Sequence, residues 1–352
     1  MKKFLISIVF ILVCVCCFAF AVDDQSAQNT SGDVYYPVVF TSEWKTLSRN
    51  ERVAACRLSQ EEISEMNTTD FITKLLQNPF MVDLYAFDSF ELGYQHLKND
   101  FPEISALESR ADLGSSLIDV YQAIPVATSK DESNNILPLS FLEILIAQPD
   151  MTENLSKSDI EAIAEIAMNK HCEKVLFPSI NGGTCDTFYS AISEVPQSNL
   201  ALAVNLSVYT PKGSAVPVIN KANITDWTNT EITALNNQTS TAYPSAIKLR
   251  NPTKKYNCHS YAWYSTSSSN HYWMNNPAKY MSDGSYTNTS STSFNNKIYW
   301  KSGSSPVHSG IIASYINGGP YFACTSKWGE LGLYNHPVVD CPYGGTKSYW
   351  KR

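Results

Sequence analysis

The chain has 352 residues, of which 43% are hydrophobic and 17% are charged. It is longer than a typical single domain, and this composition excludes a chain that is disordered throughout. Charge is uneven: residues 22–200 hold 11 basic and 28 acidic side chains, whereas residues 201–352 hold 13 and 5. An acidic first half and a basic second half indicate separate modules, and the formal net charge of −7 argues against a nucleic-acid binder.

The N-terminus has the pattern of a secretory signal peptide. Lys2 and Lys3 precede an apolar run over residues 4–18, and Ala19-Phe20-Ala21 places small residues where a signal peptidase reads them. The run is too short for a permanent membrane anchor. We therefore predict that residues 1–21 are removed and that the mature chain is exported, with no transmembrane segment.

Three cysteines in or beside the apolar run raise the alternative of a lipoprotein signal. Cys14, Cys16 and Cys17 follow Val13, Val15 and Cys16, whereas a lipoprotein signal has Gly, Ala or Ser before the modified cysteine. The sequence therefore favours a signal peptide without lipidation.

Residues 22–40 are predicted to form a leader, and residues 41–200 an acidic helical module. Capping signals are found at Ser59 with Glu62, at Asp88 with Glu91, and at Ser158 with Glu161. Phe71, Leu75 and Leu76 lie on one helix face, which Asn78-Pro79 ends. With its "EWKTL" and "VDLYAFD" runs, the module resembles helical modules of secreted Gram-positive proteins, a resemblance that carries no assigned chemistry.

Six cysteines remain once the signal peptide is removed, namely Cys56, Cys172, Cys185, Cys258, Cys324 and Cys341. An even number of cysteines in an exported protein indicates disulfides, but six in such a long chain are few for a disulfide scaffold. A Cys172–Cys185 disulfide and two inert thiols are equally compatible with the sequence. None of the spacings matches a zinc site, and we predict neither a metal nor an organic cofactor.

The composition changes near residue 200. Residues 202–209 predict a strand, and residues up to 244 form a connector with a short helix near Trp227 to Leu235. Residues 245–352 contain 35 Ser, Thr or Asn residues and five of the seven tryptophans. This composition is typical of a secreted β-rich or α+β domain with long surface loops, and residues 287–293 are predicted to be one such loop.

The run "YNCHSYAW", residues 256–263, is the strongest local signal for chemistry. Asn257 is positioned to cap a helix that begins at Cys258, where the helix dipole and free N–H groups would lower the thiol pKa. Those N–H groups would also stabilise an oxyanion. His259 is expected to point away from Cys258, as a surface or wall residue. The alternative is that Cys258 is a structural cysteine in an aromatic helix. If the cysteine stood alone, without a histidine elsewhere in the sequence, we would favour this structural interpretation.

A second signal follows about fifty residues later, where residues 306–314 predict a strand that begins near His308. Residues 297–301 predict the strand before it, and residues 321–327 the return strand after a turn at 317–320. A cysteine on a helix, followed by a small antiparallel sheet with a histidine, is the order of elements in a papain-like cysteine hydrolase.

With "NCHSYAW", "HSGII" and "SKWG", residues 245–352 resemble the CHAP and NlpC-type amidases and peptidases of bacterial cell-wall hydrolases. The resemblance implies that Cys258 is the nucleophile and His308 the general base. The sequence departs from the family where Asn296-Lys297 replaces the usual "GD" and where His259 directly follows the cysteine.

A catalytic imidazole also needs a partner that holds its second nitrogen. A turn centred on Gly318-Gly319 places residues 326–329 opposite His308, and Ser326 is the only small polar side chain among them. We therefore predict Ser326 as the third catalytic residue, with His336 as its rival. Among the aromatic residues, Trp263 and Trp300 are predicted to lie in the core, and Tyr272 and Trp273 to line a groove.

The sequence thus predicts an α+β fold: a helical N-terminal module, then a papain-like domain whose nucleophile helix packs on a small antiparallel sheet. The predicted function is secreted, thiol-dependent cleavage of amide bonds in peptidoglycan peptides, and the basic half would approach the anionic wall. The alternatives are a non-catalytic wall-binding or adhesion protein, and acyl transfer with the same Cys–His pair. The oligomeric state is left open.

Overall fold

The structure is a computed structural model that describes residues 36–192, 206–319 and 321–352. The predicted signal peptide, residues 22–35 of the predicted leader and residues 202–205 of the predicted strand lie outside the described residues. Among the described residues, the fold is mixed: the N-terminal part is helical, and the sheets lie in the C-terminal part.

Eleven α-helices occupy the described part of the N-terminal half, and two more follow in the C-terminal half. They are α1 Arg49–Ala55, α2 Gln60–Glu65, α3 Thr68–Leu76, α4 Phe90–Asp100, α5 Glu103–Glu108, α6 Leu113–Ala123, α7 Ile136–Ile146, α8 Pro149–Thr152, α9 Lys157–Leu176, α10 Pro178–Asn181, α11 Thr187–Ile192, α12 Asn229–Ala242 and α13 Ala278–Ser282. Short 3-10 helices include Pro79–Tyr85. No described helix combines the length and the apolar character that crossing a membrane requires.

The helix caps confirm one predicted signal and correct two. Ser59 forms the predicted capping box with Glu62. The predicted start at Ser158 is wrong, because Ser156 caps α9. Asp88 is not a cap either: Ser89 Oγ accepts the Leu92 N–H at 3.2 Å and begins α4. The carboxylate of Asp88 is therefore available for a contact elsewhere in the molecule.

Ten strands form two sheets. They are β1 Leu206–Tyr209, β2 Ala215–Asn220, β3 Ile247–Arg250, β4 Tyr272–Trp273, β5 Thr287–Thr289, β6 Lys297–Ser302, β7 Ser305–Ala313, β8 Ala323–Lys327, β9 Leu333–Pro337 and β10 Thr346–Lys351. The small sheet has the order β1-β2-β4, and the large one β3-β9-β8-β7-β6-β10-β5. All strand pairs are antiparallel.

The predicted hairpins are confirmed around β7, in a larger sheet than expected. Trp300 on β6 is paired with His308 on β7, and the register shifts just beyond this pair. Pairing between β7 and β8 begins at Ile311 with Thr325, so the two strands are not paired beside His308. The loop predicted over 287–293 is partly strand, because β5 pairs with β10 at the sheet edge.

The large sheet is the middle layer of the fold. One face contributes side chains such as Trp300, Ile312 and Cys324 to a cluster that continues into the N-terminal helices. The other face contributes Tyr299 to a second cluster, which contains Trp263 and the small sheet. The two predicted modules thus share one continuous apolar core, and Trp263 and Trp300 are buried as predicted.

Candidate active site

Cys258 begins a helical stretch of seven residues that ends at Tyr264, and residues 260–264 of it form a π-helix. Asn257 caps the stretch as predicted, because its Oδ1 accepts the Ser260 N–H at 3.1 Å. The same side chain bonds the backbone of Met274, donating to its carbonyl at 2.8 Å and accepting its N–H at 3.2 Å. Asn257 therefore fixes the residue before Cys258 to a second stretch of chain.

The Cys258 thiol is withdrawn from water. The residue is 2% exposed, and the backbone N–H groups of Ser309 and His259 act to lower the thiol pKa. Burial, with a smaller contribution from Asp88, raises the thiol pKa well above its ordinary value. The predicted lowering of the pKa is therefore wrong in direction, because loss of water outweighs the two N–H groups and the dipole of so short a helix.

His308 lies in the middle layer among aromatic rings. Its ring stacks on Tyr343 with centroids 3.6 Å apart and an interplanar angle of 9°, and lies 4.9 Å from the Trp300 ring. Among the described residues, neither ring nitrogen has a hydrogen-bond partner. Burial, with smaller contributions from His336 and His259, lowers the imidazole pKa well below its ordinary value. His308 is therefore a neutral histidine at physiological pH.

Ser309 is the residue of β7 whose side chain faces the helix of Cys258. Its Oγ accepts from Trp263 Nε1 at 2.8 Å and bonds His259 Nδ1 at 2.8 Å. Because successive side chains of a strand point to opposite faces, His308 points away from that helix. The structure thus brings the Cys258 thiol to the backbone of the strand that carries His308, without a hydrogen bond between the two side chains.

His259 is a core residue, and its predicted surface position is wrong. It is fully buried, and burial lowers its pKa to about 3. Its Nε2 has no hydrogen-bond partner among the described residues, and the nearest carboxylate oxygen, Oδ2 of Asp88, lies 4.0 Å away.

Ser326 does not make the contact predicted for it. Its Oγ bonds His336 Nε2 at 2.7 Å and accepts from Trp328 Nε1 at 3.0 Å. The other nitrogen of His336, Nδ1, donates to the Pro337 carbonyl at 2.8 Å. The expected hydrogen bond from Ser326 to His308 is therefore absent, and His336 does not replace it. The register prediction placed Ser326 near β7 but carried no information about which histidine its hydroxyl would bond.

Lys327 is a structural residue of the site that the sequence reading missed. It is buried, and its Nζ donates to the carbonyl oxygens of Thr253 at 3.0 Å, Gly329 at 2.7 Å and Leu331 at 2.5 Å. Burial lowers its pKa to about 7. The only sequence signal was a lysine within the apolar strand "FACTSKW".

Asp88, a residue of the N-terminal module, contacts the cysteine motif. Its Oδ1 accepts from Asn257 Nδ2 at 3.0 Å. Burial raises the pKa of this carboxyl to about 6, although the bond from Asn257 and the charge of Lys221 act in the opposite direction. The spacing of Asp88 to Glu91 predicted a helix cap, whereas its carboxylate bonds the cysteine motif through Asn257.

Among the described residues, two groups of side chains bring metal-ligand atoms together, and neither includes Cys258 or His308. The first group consists of Asp83, His96 and Asp100. There the Arg49 guanidinium already bonds the Asp100 carboxylate at 2.5 Å and lies 3.5 Å from that of Asp83. In His171, Cys185 and Asp186, the imidazole Nδ1 lies 3.1 Å from the Cys185 carbonyl oxygen and 3.5 Å from Asp186. Contacts within the protein account for both arrangements.

The six cysteines of the described chain are all free, including Cys172 and Cys185, so the structure contains no Cys172–Cys185 disulfide. Trp273 does not line a groove: it is buried beneath the Lys221 ammonium, whose nitrogen lies 3.8 Å from the ring centroid.

A cavity of about 220 Å³ lies between the modules, lined in part by Tyr85, Lys254 and Glu330.

Comparison with known proteins identifies no relative: no family model, no curated protein and no solved structure matches this chain.

Proposed function

We propose that the chain is a secreted, thiol-dependent amidase or endopeptidase that cleaves amide bonds in peptidoglycan peptides. The observation that carries the proposal is the placement of Cys258. Its thiol is buried close to the backbone N–H groups of Ser309 and His259, and the residue before Ser309 is His308, a neutral histidine with no partner on either nitrogen among the described residues. A papain-like arrangement of nucleophile helix and sheet is part of this proposal.

In the proposed reaction, Cys258 attacks the carbonyl carbon while His308 takes the thiol proton. The raised thiol pKa and the lowered imidazole pKa both favour the neutral pair, so the proton moves during the attack rather than before it. The carbonyl electrons pass to oxygen, where backbone N–H groups near Cys258 stabilise them. His308 then protonates the leaving amine, and water hydrolyses the thioester.

The two side chains are not hydrogen-bonded in the structure, so the reaction requires a movement. His308 has to leave its stacked position on Tyr343 and reach the thiol as substrate binds. Hydrogen bonds at catalytic sites often tighten only in the substrate complex.

A binding function is the second candidate, and the burial of both residues favours it. Cys258 is 2% exposed and His308 is fully buried against aromatic rings, as structural residues would be. In that case the chain would bind the wall without cutting it. Acyl transfer by the same pair would differ from hydrolysis only in the amine that replaces water.

Zymography on purified cell walls separates these candidates. We expect the full chain and its Cys172→Ala variant to clear the wall, because Cys172 is an exposed thiol outside the site. Cys258→Ala should not clear it. Retention on the wall without clearing by any variant would favour the binding function. Mass spectrometry of released fragments would then identify the cleaved bond, and amine adducts would indicate acyl transfer.

A further inference from the structure

A short segment of the N-terminal module, Tyr85 to Asp88, lies across the C-terminal domain beside the candidate site. It begins at the last residue of the 3-10 helix Pro79–Tyr85 and precedes α4; the Ala86 N–H closes that helix on the Asp83 carbonyl at 3.0 Å, and Phe87 and Asp88 lie between the two helices. The Tyr85 carbonyl accepts the Glu330 N–H at 2.8 Å, and the Ala86 carbonyl accepts the Tyr343 hydroxyl at 2.5 Å. Its main chain is therefore bound as a peptide ligand would be.

The C-terminal domain meets this segment with a glycine that leaves no room for a side chain. Gly329 has a φ of +46°, and a Cβ at this position would lie 2.5 Å from the carbonyl carbon and oxygen of Ala86. Such a close approach of two backbones is a recognised use of glycine. The surface is shaped for a polypeptide main chain.

The same surface holds a carboxylate. Asp88 Oδ1 accepts from Asn257 Nδ2 at 3.0 Å, and Oδ2 lies 4.0 Å from the otherwise unpartnered Nε2 of His259. The Lys221 ammonium, which is paired with Glu330 at 3.7 Å, also acts to lower the pKa of the Asp88 carboxyl. An amide donor, an imidazole nitrogen and a cation are the groups that recognise an acidic side chain.

The residues that hold the segment are neighbours of the proposed catalytic pair. Asn257 and His259 flank Cys258 in sequence. Tyr343 stacks directly on His308 and donates to Ala86. Phe87 packs against Tyr343 with ring centroids 5.2 Å apart. The segment thus engages the partners of both the thiol and the imidazole.

We propose that Tyr85–Asp88 occupies the binding site of an acidic peptide beside Cys258, and that such a peptide displaces it. The ligand has an acidic side chain two residues after the carbonyl that Tyr343 binds. This inference deepens the proposed function, because it assigns the class of peptide that the site accepts. It also explains why the Cys258 thiol is buried, since Tyr85–Asp88 fills the peptide site when no peptide is bound.

The test uses the full chain and two measurements that need no catalysis. The first is the affinity of a fluorescent peptide of sequence Tyr-Ala-Phe-Asp, with blocked ends, measured by anisotropy in a Cys258→Ser background. The second is the rate at which iodoacetamide alkylates Cys258 without peptide, measured by peptide mapping. Asp88→Asn weakens the internal occupant, so we expect at least tenfold tighter peptide binding and at least tenfold faster alkylation.

Glu91→Gln is the matched control, because it removes an exposed carboxylate three residues further on and should change neither measurement. A Tyr-Ala-Phe-Asn peptide should bind at least tenfold more weakly than its acidic counterpart. Phe87→Ala is the second variant should Asp88→Asn not fold, and it should act in the same direction.

Unchanged affinity and unchanged alkylation in a folded variant would overturn the inference, as would faster alkylation without peptide binding. These results are separable from those of the proposed function. Peptide binding without wall clearing would contradict the hydrolase alone, and wall clearing with an unresponsive Asp88→Asn variant would contradict this inference alone.

Discussion

Arg52 in the first helix and Asp340 near the C-terminus form a buried ion pair. Their side chains come from positions 288 residues apart, and the Arg52 guanidinium also donates to the Leu47 carbonyl at 2.6 Å. The Ser245 hydroxyl donates to the second carboxylate oxygen of Asp340. The acidic and basic halves of the chain are thus joined by a specific contact as well as by apolar packing.

Removal of one partner of this pair should strongly destabilise the fold. Arg52→Met leaves the Asp340 carboxylate buried without its cation, and we expect a loss of about 3 to 5 kcal/mol in the free energy of unfolding. Denaturant titration measures this loss. Glu161→Gln in the exposed Lys157–Glu161 pair is the control and should cost about 1 kcal/mol or less. Equal effects of the two substitutions would contradict the structural role of the buried pair.

The shared core predicts that the described chain unfolds as one unit. Because buried side chains such as Tyr85, Trp227 and Trp328 belong to one cluster, the sheet cannot lose its packing while the helices keep theirs. Circular dichroism, which follows the helices, and tryptophan fluorescence should give coincident transitions in urea. Two separated transitions would mean that the modules are independent domains.

Ser326→Ala should lower stability without changing access to Cys258. The substitution leaves Trp328 Nε1 buried without its partner and His336 Nε2 with only the Cys324 thiol at 3.4 Å, and we expect a loss of about 1 to 3 kcal/mol. Ser314→Ala, which changes an exposed serine, should cost much less. The alkylation rate of Cys258 should match that of the unmodified protein. A large change in this rate, with stability intact, would restore the catalytic role first predicted for Ser326.

Acid should destabilise the protein through its buried histidines. Burial lowers the pKa values of His308, His259 and His336, the last to about 4, so below pH 6.5 the unfolded chain binds protons before the folded one does. Stability therefore falls as the pH falls, by about 1.4 kcal/mol per pH unit for each histidine. Asp88 has the opposite effect on stability. Its pKa is about 6 in the folded chain and lower in the unfolded chain, so between these two values the folded chain binds the proton first and a fall in pH adds stability.

The His308→Phe variant isolates one of these contributions. Phenylalanine preserves an aromatic ring against Tyr343 but does not titrate. Denaturant titrations at pH 7 and pH 5 should show a smaller difference in stability for the variant than for the unmodified chain. An equal or larger difference would show that His308 is not a buried neutral histidine.

The raised pKa of Cys258 predicts slow alkylation at neutral pH. Because the thiolate is the reactive form, the rate should rise about tenfold per pH unit from pH 7 to pH 9. Exposed Cys172 should react faster at pH 7. A rate at Cys258 that is already constant near pH 6 would instead indicate a thiolate–imidazolium pair.

The sequence predicts well those features that depend on near neighbours. The Ser59 capping box, the Asn257 cap and the strands on either side of His308 follow from patterns a few residues long, and each is confirmed. Ser59 and Asn257 each bond a backbone N–H three residues further on. Such contacts form within one helical turn, wherever the rest of the chain lies.

The missed features depend on contacts between distant stretches of chain. The spacing of Asp88 to Glu91 predicts a helix cap, but the hydrogen-bond partner of Asp88 is Asn257, 169 residues away. Ser326 reads as a partner of His308 because the strand register is a local property. Its actual partner, His336, lies on the next strand, whose register with β8 the sequence did not specify. The direction of the Cys258 pKa also required the burial that only the packed structure provides.

Lys327 joins two separate stretches of the main chain near Cys258 through its hydrogen bonds. Through one ammonium group, Thr253, five residues before Cys258, is tied to Gly329 and Leu331 in the loop after β8. That loop is also the one that touches Tyr85 and Ala86. A shift of this loop when a peptide replaces Tyr85–Asp88 would therefore also move the main chain at Thr253, so that Lys327 couples peptide binding to the position of Cys258.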